Sequence, residues 1–173
     1  MSQAVRKGNH DFKTGVPVEC PRSRSRNCLN LANPSSGALD ARTISVPLGF
    51  TDSASTTCLH VPSIGLIVAG DAAYNGDHLH LSESPDQQKR QEWIAALDKM
   101  ESLKPRAVIA GHKRVGNDDS PKILGETRKY IRDFERLAMQ TMTAQELYDE
   151  MLKLYPDWIN RGALWTSVRA IKT

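Results

Sequence analysis

Asp71 and His112 are the residues whose type and placement point most directly to chemistry in this chain. Each follows a short apolar run with the same punctuation. Leu66 to Ala69 leads into Gly70-Asp71, and Val108 to Ala110 leads into Gly111-His112, 41 positions later. A continuous apolar run of this length bounded by glycine reads as a strand buried on both faces. In open α/β sheets, sites gather beyond the carboxyl ends of the strands. The repeat therefore predicts that a carboxylate and an imidazole meet at one site. His78 and His80 form a second constellation. On a strand or extended loop, side chains two apart face the same way, so this pair could chelate a metal ion. The alternative is a polar rim around the site. Cys58 and His60 have the same spacing and read as a partly buried, satisfied pair.

The elements that must position these residues follow from periodicity and punctuation. Thr56 to Val61 reads as a strand, and Pro62-Ser63 with Gly65 turns it into the buried strand expected to end at Asp71. Tyr74-Asn75-Gly76 reads as a turn across the mouth of the site. Tyr74 and Asn75 are thus expected at the substrate rim, as is Lys113, which opens a polar loop running to Asp119. Ser84, Pro85 and Gln87 have the order of N-cap, first helical residue and capping-box partner. Trp93, Ile94, Leu97, Met100 and Leu103 supply that helix's core stripe, and Lys104-Pro105 stops it. Arg106 to Ala110 is the second buried strand. A further helix is expected from Ser120-Pro121, burying Ile123, Thr127, Tyr130, Phe134 and Leu137. Another is capped by Thr143 with Glu146 and buries Leu147, Met151 and Leu154 before Pro156. A closing helix over residues 160–172 turns Leu164, Trp165 and Val168 inward. This order makes an α/β layer.

Composition bounds the rest. A chain of 173 residues with 39% hydrophobic and 25% charged residues suits one globular domain. The net charge of +3 is unevenly spread. Residues 1–45 hold seven Lys/Arg against three Asp/Glu, a net of +4, and the remainder holds sixteen against seventeen, a net of −1. The first 45 residues, with Phe12 as their one aromatic and an Arg22-Ser-Arg-Ser-Arg26 run, read as a disordered, solvated segment. Nucleic-acid binding is not expected from so short a run. Cys20, Cys28 and Cys58 make neither a disulfide framework nor a zinc-finger spacing. Without a membrane-spanning stretch or secretory leader, a cytoplasmic protein is expected.

LHVPSIGLIVAGDAAYNG followed by AVIAGHK resembles the C-terminal half of a metallo-β-lactamase-fold hydrolase. The resemblance covers residues 46–173. It implies half of an αββα sandwich: a mixed sheet covered by helices, behind the low-order segment 1–45. It also implies zinc, with Asp71 and His112 in the positions of two metal ligands. Two departures stand out. No HxHxDH motif, which supplies three ligands in the family, occurs in this chain. Where the family has a Gly-His-Thr motif, Gly49-Phe50-Thr51 stands here, and Phe50 has no lone pair for a metal. A truncated, weakly active or inactive relative of zinc hydrolases, with weak or partial zinc occupancy, is therefore expected. One alternative is an active hydrolase completed by a second chain or by His78, His80 and His10, acting on a small ester- or lactam-like substrate. A non-catalytic interaction module is the other. The half-fold reading further leads us to expect a homodimer through the unpaired sheet.

Overall fold

The computed structural model describes residues 42–172. Most of the segment read as disordered lies outside the described residues, together with His10, Cys20 and Cys28. In chain order the described residues form β1 (Ile44–Gly49), β2 (Thr56–Val61), β3 (Leu66–Asn75), α1 (Gln87–Ser102), β4 (Ala107–Lys113), α2 (Lys122–Gln140), α3 (Ala144–Leu154) and α4 (Arg161–Ile171). β1 begins at Ile44, so the end of the expected tail already belongs to the sheet.

The sheet has the order β1-β2-β3-β4. β1, β2 and β3 are antiparallel neighbours joined by short turns, and β4 lies parallel to β3. A parallel return needs a crossover, and α1 supplies it. Leu48, Cys58, Ile67, Ala69, Val108 and Ala110 are buried on one face of the sheet, where α1 and α2 pack against it. On the opposite face Leu59, Val68 and Ile109 lie in one cross-strand row. Leu59 is 44% exposed and Ile109 37%.

α1 and α2 are amphipathic as expected. Trp93, Leu97 and Met100 are fully buried on α1, and Ile123, Thr127, Tyr130, Phe134 and Leu137 are buried on α2. The cap of α1 is Asp86 rather than Ser84. The Lys89 N–H donates to the Asp86 carboxylate at 2.8 Å, while buried Ser84 donates to the Thr51 carbonyl at 2.9 Å. α3 starts with the expected capping box of Thr143 and Glu146. Leu154 and Trp165 do not turn inward: both are partly exposed, and the Trp165 ring meets Tyr148 edge-on at 5.3 Å.

The main departure concerns the buried strands. β3 does not stop at Asp71 but continues to Asn75, and β4 runs through His112 to Lys113. Tyr74 and Asn75 are therefore strand residues, 2% and 4% exposed, rather than a turn at a rim. The alternation simply resumes after an irregularity that the apolar pattern could not reveal.

Candidate functional site

That irregularity builds the site. In the β3–β4 register Gly70 faces Ala110, and the next pair is Tyr74 with His112. Three residues of β3, Asp71 to Ala73, are thus spanned by Gly111 alone. Such a bulge bends a strand and re-aims a side chain. Gly70 initiates it at φ +56°, a left-handed conformation that glycine adopts without a Cβ penalty. The bulge swings Asp71 out of the sheet and toward His112. The Asp71 Oδ1 stands 3.4 Å from the His112 Nε2, and both side chains are about half exposed.

Bulged backbone loses ladder hydrogen bonds, and helices supply replacements. Trp93 of α1 donates its Nε1–H to the Ala72 carbonyl at 2.8 Å. Thr127 of α2 accepts from the Tyr74 N–H and donates to the Tyr74 carbonyl, each at 3.1 Å. The Tyr74 ring then stacks on His112 at 4.9 Å between centroids, 12° from parallel. Burial, with the Asp52 and Asp71 carboxylates nearby, pushes the Tyr74 phenol well up, so it stays neutral. Asn75 donates to the Asp118 carbonyl and accepts from the Asn117 side chain, each at 2.7 Å. Tyr74 and Asn75 hold the site from beneath. Lys113 is exposed, with its Nζ 2.8 Å from Asp119 Oδ1.

His78 and His80 are not brought together. His78 is fully buried, with its Nδ1 2.9 Å from the Tyr130 hydroxyl. His80 is exposed beside Ser82. The segment is not a regular strand, so the two-residue spacing does not set a common direction. His60 is half-buried next to fully buried Cys58, whose thiol burial pushes upward. Trp93, Thr127 and Gly111 were not expected to serve the site. The one available signal was Trp93, since a buried indole N–H must find an acceptor.

Residues 35–112 match the family model of the metallo-beta-lactamase superfamily. The described residues form part of a metallo-β-lactamase fold. Among solved structures, a metallo-beta-lactamase family protein of Thermus thermophilus aligns with a TM-score of 0.50 at 20% identity. The alignment covers 75% of this chain and 42% of that one, so this chain spans less than half of that relative's length. No curated protein matches.

The 3.4 Å between Asp71 Oδ1 and His112 Nε2 is the distance of an ion pair, and is also about the roughly 3.3–3.6 Å that separates two N/O donors on one tetrahedral zinc. Among the described residues, no three His, Cys, Asp or Glu side chains cluster to hold an ion.

Proposed function

We propose that this chain carries a partial metallo-β-lactamase-type metal site, in which Asp71 and His112 bind one divalent ion weakly. Asp71 would hold such an ion through a carboxylate oxygen and His112 through its Nε2, with Tyr74 fixing the imidazole plane, and the ion when bound would supply Lewis-acid activation of water. The observation that supports this reading is the 3.4 Å separation of Asp71 Oδ1 and His112 Nε2, aimed at each other across a bulge that otherwise disrupts the sheet.

Structural and catalytic zinc sites use three or four protein ligands. The described residues supply two, so the chain is a weakly active or inactive relative of hydrolases unless further donors join. Zinc content after dialysis tests this for the wild type, Asp71→Ala and His112→Ala. We expect at most one zinc per chain, removable by mild chelation and reduced in both variants. Two tightly held zinc ions would support a complete hydrolytic centre instead. Zinc retention indifferent to Asp71→Ala would remove the pair from the site.

A further inference from the structure

We propose that Gly111 is a positioning residue for the Asp71–His112 pair, its missing side chain being the space that Asp71 crosses to reach His112. The functional consequence rests on the metal-site reading above, whereas the geometry does not. A Cβ built on Gly111 would collide with the Asp71 Oδ1 and stand 2.7 Å from the Gly70 carbonyl carbon and 2.9 Å from the Asp71 nitrogen.

Glycine is not needed at this position for backbone freedom. Gly49, Gly70 and Gly116 have positive φ and open space where a Cβ would lie. Gly111 is the reverse case, with no left-handed φ and a crowded Cβ position. It lies opposite the three-residue bulge, and the carboxylate of Asp71 occupies what would be its side-chain volume. Any larger residue at 111 must displace the carboxylate, and must also push back the β3 backbone at Gly70 and Asp71. His112 follows directly on β4, and its ring stacks on Tyr74, which favours its present position when the carboxylate is displaced. A single methyl group would then separate two donors now spaced for one ion.

The test is a zinc competition against a chromophoric chelator, with thermal midpoints, for four proteins: wild type, Gly111→Ala, Asp71→Ala and the double variant. Gly111→Ala should lose zinc affinity by the same factor as Asp71→Ala, at least about tenfold, a loss known for residues that only orient ligands. The double variant should bind no worse than Asp71→Ala, because the effect of the glycine on zinc runs through that carboxylate, while its contacts with the β3 backbone register in the thermal midpoint. Wild-type affinity in Gly111→Ala, or losses that add, would overturn the assignment. If the wild type takes up no zinc, the metal-site reading fails, and a crystal structure of metal-free Gly111→Ala decides this one separately. A carboxylate swung away from His112 supports the proposal, and an unmoved carboxylate overturns it. If Gly111→Ala does not fold, recovery of folded protein in the double variant supports the role of Asp71. Failure to recover would assign the glycine to its contact with the Gly70 backbone instead.

Discussion

Acidifying the protein from pH 7.5 to 4.5 should cost stability through His78, and His78→Phe should remove that cost. The His78 ring is fully buried, with Tyr130 edge-on at 5.8 Å and Trp158 at 6.1 Å. Its Nε2 meets no hydrogen-bonding group, so a proton added there would be an unsolvated charge. Burial, and then the Arg161 cation, push its pKa down from 6.5 to about 4. Between those values the unfolded chain binds one more proton than the folded chain, so stability falls as pH falls. The loss approaches about 1.4 kcal/mol per pH unit and sums to roughly 2.5 kcal/mol between pH 7.5 and 4.5. His78→Phe keeps an aromatic ring but leaves the Tyr130 hydroxyl without its partner, a cost of about 1–2 kcal/mol that does not depend on pH. Adjacent Asp77, whose carboxyl burial pushes up, contributes with the opposite sign, but in both proteins, so the comparison cancels it. Urea denaturation at several pH values should show the wild type ahead at pH 7.5 and level or behind at pH 4.5. Stabilities that fall in parallel would refute the reasoning.

Other expectations follow from single contacts. Trp93→Phe should destabilise by about 2–3 kcal/mol in urea melts, because it opens a cavity and orphans the Ala72 carbonyl of the bulge. Gly125→Ala and Gly162→Ala, in α2 and α4 with open space around the new methyl, should each raise stability by about 0.5–1 kcal/mol. The Lys89 ammonium sits 5.0 Å over the Phe50 ring. Lys89→Met should therefore change stability by no more than about 0.5–1 kcal/mol in urea melts, the worth of an exposed cation–π contact, and a larger loss would count against so modest a role. Among the described residues, Leu59 and Ile109 leave an apolar row part-exposed on the sheet face opposite the helices. We therefore expect weak self-association in sedimentation at high concentration, abolished by Ile109→Lys. A dimer indifferent to that change would place the interface elsewhere.

The apolar runs ending in Gly70-Asp71 and Gly111-His112 made β3 and β4 and the approach of a carboxylate to an imidazole readable in advance, but not their burial: β4 is the edge strand of the described sheet, and Ile109 lies on an open face instead of in a strand buried on both sides. The faces of α1 and α2 were legible too, since burial of residues such as Trp93, Leu97 and Met100 repeats with the helical period, whereas Leu154 of α3 and Trp165 of α4 were expected inward and are exposed. The bulge was not. A bulge leaves no mark on hydrophobic periodicity, because Ala72 and Ala73 look like any loop residues. Without it, Tyr74 and Asn75 read as a turn instead of a buried support. The cap of α1 was missed for a local reason: Ser84 and Asp86 are both good caps, and only the tertiary bond of Ser84 to Thr51 decides between them. The separation of His78 from His80 depends on where α2 and the Trp158 region lie, which the spacing of two histidines does not encode.

The most direct test of the shared-ion account is a crystal of the protein soaked in zinc and measured across the zinc absorption edge. The account predicts one anomalous peak per chain, about 2.0–2.2 Å from both Asp71 Oδ1 and His112 Nε2, with its remaining positions filled by water. A peak bound to His78, His80 or Cys58, or none between Asp71 and His112 at saturating zinc, would contradict it.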